Sequence, residues 1–284
     1  MIPESVPNMH HPSATLFIVA TPIGNRDDIT LRAIQVLQDV TRIAAEDTRH
    51  SRPLLTHLGI DTPLTALHEH NEDAVVDGLV RQLQQGDDIA LISDAGTPLI
   101  SDPGYRLVRA ARAAGIRVVP LPGPCAAIAA LSVGGLPSDR FVFEGFLPAK
   151  ASARRARLAE LAGETRTMIF YESPRRVAAT LDAMRESFGD QREAVLAREL
   201  TKMFETVLDR PLVELARRVA ADPDQQRGEC VLLVAGSADP AEARLSEGRR
   251  LFALLSAELP PSRAAKLAAS ISGAPRKALY EDRG

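Results

Sequence analysis

Five times in the first half of the chain a short apolar run gives way to a small-residue or polar loop, and then to a helical pattern. The runs are residues 16–20, 42–45, 64–67, 89–92 and 117–121. Apolar runs this short, bounded by turn residues, read as buried strands. Strands that alternate with helices build a mostly parallel, doubly wound sheet, because a parallel pair needs a crossover connection. Local signals agree. Thr30 is placed to cap a helix running to about residue 39, with Leu31, Ile34 and Leu37 on one face, and Gly86 and Gly115 stop two later helices.

In an open sheet of this kind, ligands sit outside the carboxyl ends of the strands. The fourth run opens into Ser93-Asp94-Ala95-Gly96-Thr97-Pro98-Leu99-Ile100-Ser101-Asp102-Pro103-Gly104-Tyr105. Asp94 stands at a strand end, as a ligand contact or as a turn-former. Ala95 and Gly96 let a ligand approach the backbone. Asp102 reads better as a turn residue or helix cap. The second run leads into Glu46-Asp47-Thr48-Arg49-His50, for which a functional cluster and a capped helix start both stand. After the fifth run, Pro122-Gly123-Pro124-Cys125-Ala126-Ala127 starts a helix with small residues, suited to a ligand at its free amides or to close packing. Neither GxGxxG nor GxxxxGK[ST] occurs, which disfavours a standard dinucleotide fold and a P-loop. His68-Glu69-His70 lacks the spacing of a helical metal pair and reads as a solvated helix start.

Gly134-Gly135-Leu136-Pro137 marks a boundary. Beyond it come strands at 141–143, 168–171, 194–198, 206–208 and 230–235 and a helix at 211–221, which together suggest a mixed sheet with helices. Lys150, Arg154, Arg155 and Arg157 follow the first of these strands with no acid until Glu160, as a solvated face or an anion-binding one. Residues 263–277 carry two short helical patterns around Gly273, a helix-turn-helix spacing suited to docking or modest RNA contact. The expected organisation is a disordered tail at 1–14, α/β domains at 15–135 and 136–238, and a helical extension at 239–284. A chain of 284 residues can hold this much. Its net charge of −3 gives no overall basic field. Cys125 and Cys230 form no CxxC, so neither a disulfide framework nor a zinc site is expected, and a reducing cytoplasm fits. Residues 1–14 have no apolar signal-peptide core, and no run is long enough to cross a bilayer.

Read in order, Val19 to Asn25, Asp27 to Ala33, Glu46 to His50, Ser93 to Gly104, Leu121 to Ala127, Phe143 to Pro148, Phe170 to Arg176 and Arg198 to Glu205 form a collinear set. This set resembles the tetrapyrrole methylase superfamily from about residue 16 to 235. The Glu-Asp-Thr-Arg, Ser-Asp-Ala-Gly-Thr-Pro and Arg-Glu-Leu-Thr-Lys strings set it apart from the porphyrin-precursor methylases. The resemblance implies two α/β domains with the active cleft between them, usually as a homodimer. It implies S-adenosylmethionine as cofactor and, as reaction, methylation of the ribose 2′-hydroxyl of one cytidine in small-subunit (16S) ribosomal RNA. By motif, the implied cofactor contacts are Ile23, Asp94, Ala95, Gly96, Thr97, Gly123, Cys125, Ala126 and Tyr171. Cys125 stands where the family more often has Ser, and Arg26 where Leu is common.

No metal is needed for transfer at a sulfonium methyl, but a ribose hydroxyl is a poor nucleophile and wants a base or a cation nearby. Glu172, Lys202 and Glu205 are the unranked candidates, all at or just after strand ends. Arg49, Lys150, Arg154, Arg155, Arg175 and Lys202 are the candidate RNA phosphate contacts. Two other readings remain: a small-molecule methylase of the tetrapyrrole type, whose acidic substrate would also explain the arginines, and a non-catalytic RNA-binding protein.

Overall fold

The computed structural model describes residues 14–68, 71–238 and 240–279. The expected tail, save Ala14, and the Glu69-His70 pair lie outside the described residues. The chain divides into two compact units, Met1–Ala126 and Ala127–Gly284.

The first unit alternates strand and helix as its apolar runs require: β1 (Thr15–Val19), α1 (Leu31–Asp39), β2 (Arg42–Ala45), α2 (Thr48–His57), β3 (Leu64–Ala66), α3 (Glu72–Gln84), β4 (Ile89–Ile92), α4 (Tyr105–Ala113) and β5 (Arg117–Leu121). The strands form one parallel sheet in the order β3-β2-β4-β1-β5. A buried cluster lies on each face. One holds Val19, Leu37, Ile43, Leu55 and Ile92; the other holds Leu16, Leu67, Leu83, Leu91 and Leu107. Sheets covered on both faces need apolar residues at successive strand positions, which is why these strands read as continuous runs. Thr30 caps α1, its Oγ1 accepting from Ala33 N–H at 3.1 Å. Leu31, expected on the buried face, is instead 86% exposed, and α1 buries Ala33 and Leu37. At 100° per residue Leu31 lies 120° round the helix from Leu37, too far to share its face.

The division between the units falls at the first residue of α5 (Ala126–Val133). The second unit continues with β6 (Phe141–Phe146), α6 (Ala151–Leu161), β7 (Thr167–Glu172), α7 (Val177–Phe188), β8 (Glu193–Arg198), β9 (Thr206–Pro211), α8 (Leu212–Ala221) and β10 (Cys230–Val234). Its sheet runs β6-β7-β10-β8-β9, with only β6 and β7 parallel. The first strand is twice the expected length, because a bulge between Phe143 and Gly145, with Gly145 left-handed at φ 64°, lets pairing resume. Phe170, Leu181, Leu196, Leu215 and Leu232 centre the core on one face.

The tail has its own small core, with Phe252, Ala264, Ala268 and Leu279 buried between α9 (Pro240–Ser256) and α10 (Pro261–Ser272). The helix pair is therefore α9 and α10, not two helices flanking Gly273. Gly273 closes α10 in the left-handed region at φ 73°, and Pro275 leaves only a 3₁₀ turn, Arg276–Leu279, beyond it.

Phe170 on β7 is fully buried at the centre of the second sheet. Phe170→Ala is expected to destabilise this unit by about 3–5 kcal/mol. Urea unfolding followed by circular dichroism checks this; a midpoint equal to the parent's would contradict the packing described.

Candidate active site

Parallel strands release their loops at one end of the sheet. After β1 the chain turns through Thr21 to Asn25; after β4 it turns through Ser93 to Gly104. Two backbone hydrogen bonds join these loops: Thr21 N–H donates to Gly96 O at 2.9 Å, and Gly96 N–H donates to Thr21 O at 3.0 Å. The buried Thr21 hydroxyl adds a bond to Ser93 O at 3.2 Å. The third loop, after β5, is tied in by Thr97 Oγ1, which donates to Pro124 O at 2.9 Å. Gly96 holds φ 86°, and a Cβ there would stand 3.3 Å from Ile23 Cγ2. At Gly123 a Cβ would stand 2.8 Å from the Ala20 Cβ. Close approach requires both glycines, and a left-handed backbone requires Gly96 as well. Ile23, Asp94 to Thr97, Gly123 and Cys125 are thus brought together in the first unit as a small-residue cradle with one carboxylate at its edge.

That carboxylate is doubly placed. Asp94 Oδ1 accepts from Asp47 N–H at 3.1 Å, and Glu46 Oε2 accepts from Asp94 N–H at 3.4 Å. Asp47 caps α2 by accepting from Arg49 N–H at 2.8 Å, so the capped-helix reading of the Glu46–His50 cluster holds for Asp47. Hydrogen bonds from Arg49 hold the Asp47 carboxyl down at about 2. Burial raises Glu46, with the Asp94 charge acting in the same direction.

Asp102 departs from expectation: it does not cap α4. That helix starts at left-handed Gly104, and its Arg106 N–H donates to the buried Glu72 Oε1 at 3.0 Å, so α3 supplies the cap. Burial pushes Asp102 up to about 6, a hydrogen bond from Ser93 opposes this, and the charges of Glu46 and Asp94 add to it. The loop leading there passes through two left-handed non-glycine residues, Leu99 (φ 73°) and Ser101 (φ 69°), at a cost of about 1–2 kcal/mol each. No pattern in the sequence announces either.

In the second unit the Tyr171 hydroxyl accepts from Ala127 N–H at 3.2 Å, at the start of α5, and packs edge-on against Phe143 and Phe146. Of the candidates for the chemistry, Glu172 is ruled out as a freely accessible base. It is buried, accepts from Thr180 Oγ1 and Ser173 N–H at 2.7 Å each, and ion-pairs with Arg176. Glu205 Oε2 accepts from Thr201 N–H at 2.6 Å. Lys202 Nζ donates to Glu199 Oε1 at 2.8 Å and to Glu229 Oε2 at 2.9 Å. Burial would lower this ammonium, but the two carboxylates outweigh it and hold it above the usual lysine range. Glu199 and Glu229 were not among the expected residues. Only the antiparallel pairing of β8 with β10 brings them together.

The proposed phosphate contacts sort by exposure. Lys150 and Arg175 are exposed. Arg49 pairs with Asp47, and Arg155 with Glu186. Arg154 is a correction: its position on α6 turns it inward, and it is only 8% exposed. Arg157 is held by Glu144 and Glu160.

Residues 15–216 match the family model for Tetrapyrrole (Corrin/Porphyrin) Methylases. The chain belongs to the tetrapyrrole methylase family. Residues 242–281 match the RsmI C-terminal HTH domain. Two curated relatives carry the name Ribosomal RNA small subunit methyltransferase I. The one from Xylella fastidiosa is 62% identical, over 94% of this chain and 97% of the relative. The one from Pseudomonas aeruginosa is 59% identical, over 95% and 96%. Among solved structures, uroporphyrin-III-C-methyltransferase from Thermus thermophilus superposes with a TM-score of 0.53 at 19% identity, covering 78% of this chain and 94% of that one. The methyltransferase CobJ gives 0.59 at 21%, covering 80% and 95%. These two show the fold. As a tetrapyrrole methylase the chain uses S-adenosylmethionine, and the glycine cradle suits that cofactor: no side chain fills it at Gly96 or Gly123.

In Gly96→Ala, a methyl group meets Ile23 on a backbone that disfavours any Cβ. The expected result is at least a tenfold loss of S-adenosylmethionine affinity by calorimetry and about 1–2 kcal/mol of lost stability. Parent affinity in a folded variant would remove Gly96 from the cofactor contacts.

Proposed function

We propose that this chain transfers a methyl group from S-adenosylmethionine to the 2′-hydroxyl of a cytidine ribose in 16S ribosomal RNA, as a cytoplasmic homodimer. The observation that carries the reading is the helical tail. Residues 242–281 hold seven Lys and Arg against four Glu, in a chain whose net charge is −3. This segment matches the RsmI C-terminal model, and the relatives named for ribosomal RNA cover 94–95% of the chain. The two small-molecule methylases above cover only 78–80% of it. A segment with an excess of basic residues in an otherwise acidic protein suits a polyanion.

The cofactor supplies an electrophilic methyl group on a cationic sulfur. The protein supplies position and electrostatics. In this reading Asp94, Ala95, Gly96, Thr97, Ile23, Gly123, Cys125 and Ala126 hold the cofactor, with Tyr171 from the second unit. Lys150, Arg155, Arg175 and Arg49 meet phosphates. Cys125 in place of the commoner Ser gives up a strong hydroxyl hydrogen bond while keeping the helix-start amides. Lys202 is held charged and fixed, suited to steadying the forming oxyanion or a neighbouring phosphate.

Mapping 2′-O-methylation of 16S RNA from cells with and without this protein is expected to show one cytidine that loses its mark. An unchanged map overturns the proposal. Lys202→Met distinguishes the two lysine roles. A charge that acts in the transition state should lower kcat far more than RNA affinity, whereas loss of RNA affinity alone makes Lys202 a phosphate anchor.

A further inference from the structure

The loop from Glu199 to Glu205, between β8 and β9, is tied more firmly than a surface connection needs to be. Glu199 (φ 51°) and Thr201 (φ 67°) hold left-handed backbone without being glycine, a strain that persists only where the surroundings enforce it. Here they do. Lys202 N–H donates to Glu199 O at 3.0 Å, Glu205 N–H to Lys202 O at 3.1 Å, and Thr201 N–H to Glu205 Oε2 at 2.6 Å. The Lys202 ammonium fastens the loop to Glu229 beside β10. From beneath, Arg198, only 7% exposed, donates to Phe204 O at 3.3 Å and to Arg227 O at 3.4 Å. What this frame holds out to solvent is apolar: Met203 is 90% exposed and the neighbouring Phe204 67%. Scattered exposed apolar residues are ordinary, but an adjacent pair fixed at the tip of a strained turn marks a contact surface.

We propose that the Phe204 ring is a stacking platform for an unpaired base of the substrate RNA, with Met203 packing beside it. This rests on the ribosomal RNA reading above. Single-stranded RNA is recognised largely by aromatic rings that take up splayed-out bases. A ring serves best when its loop is already fixed, because little freedom is then lost on binding. The charges point to a base and not to the backbone. The carboxylates of Glu199, Glu205 and Glu229 sit with Lys202 and the buried Arg198, so the loop has no excess of positive charge to draw phosphates through space. A base is neutral and flat, and is the part of an RNA that such a tip can take. Lys202 stands in the same loop, so a base on Phe204 would hold the strand beside the one cation that the proposed chemistry uses. A second copy of this chain fits the tip less well. Two side chains of this size bury at most roughly 400 Å², against about 800 Å² from each partner in a stable interface.

The chain contains no tryptophan, so Phe204→Trp places a single fluorescent reporter at the tip. The probes are 16S RNA and small ribosomal subunits from cells that lack this protein. On binding them the indole fluorescence is expected to fall roughly twofold or more, beyond the loss the same RNA causes in N-acetyltryptophanamide, because a stacked base quenches it. Phe204→Ala and Phe204→Leu are each expected to weaken RNA binding about 10-fold, with S-adenosylmethionine affinity unchanged, while Phe204→Trp stays within about threefold of the parent. Leucine keeps the apolar bulk and loses the flat face, so an equal loss in both variants identifies stacking. Parent affinity for RNA in Phe204→Leu overturns the proposal, as does an indole that stays bright on bound RNA. Dissociation of a dimer by Phe204→Ala, seen in sedimentation with RNA affinity unchanged, assigns the tip to a contact between copies and also overturns it. If the alanine and leucine variants fail to fold, the tryptophan titration decides by itself. A parent protein that binds neither probe removes the ribosomal RNA reading first, a result distinct from a loss confined to position 204.

Discussion

The pair of hydrogen bonds between Thr21 and Gly96 is the constraint on which the candidate site depends. β1 and β4 are parallel neighbours, so their loops leave the sheet side by side, but nothing in a parallel ladder obliges those loops to touch. The bridge makes them touch, and it is antiparallel, so each chain must bend where the sheet ends. Gly96 meets this demand with a left-handed backbone and no side chain against Ile23. Thr21 is buried by it, and its hydroxyl turns to Ser93 O instead of to water. The third loop then locks on through Thr97 and Pro124. Hydrogen bonds thus join three loops from three strands, an arrangement preorganised to receive a ligand.

The fold was legible because its signal is the oldest one available in sequence: apolar runs with a period that matches a covered strand. β2 and β4 fall where the runs say, and Thr30 and Gly86 mark helix ends by mechanisms that need no tertiary context. The failures have a common cause. Spacing groups Leu31 with Ile34 and Leu37, but the helix's orientation on the sheet decides which arc is buried. Asp102 lies in the turn its sequence suggests but does not cap the nearest helix, because Glu72, thirty positions earlier, takes that amide. In β6 the sequence pattern stops at Phe143, because a bulge looks like a strand end until its partner is known. The helical spacing around Gly273 suggests a pair there, but Pro275 allows only a turn beyond it.

The same limit governs the site. Residues whose role is to admit a ligand close to the backbone are visible as small residues after a strand. Residues whose role depends on a partner are not. Lys202 was a reasonable candidate from its place after β8, yet its two carboxylates come from Glu199 beside it and from Glu229, which reaches it only through the pairing of β8 with β10. Arg154 looked like part of a basic run, and its burial is a matter of one helical turn.

Both loops that follow β4 and β8 carry strained left-handed residues beside acids, at Leu99 and Ser101 and again at Glu199 and Thr201. Their electrostatics run in opposite directions. Around Asp102 the nearest charges are other carboxylates, so burial is not compensated and its carboxyl rises to about 6. Burial pushes Glu199 the same way, but Lys202 reverses the result and holds it below the usual range. The consequences for stability follow from the signs. Asp102 takes up its proton in the folded state before the unfolded chain would, so its contribution to stability grows as pH falls from about 6 towards 4. Glu199 contributes stability above its unfolded value near 4.5 and loses it as pH falls through its lower folded value. Mild acid therefore stabilises the first loop and leaves the ion pair of the second in place. At neutral pH the protein keeps the Asp102 carboxylate charged at a position where the fold alone would prefer it protonated, a local cost in stability.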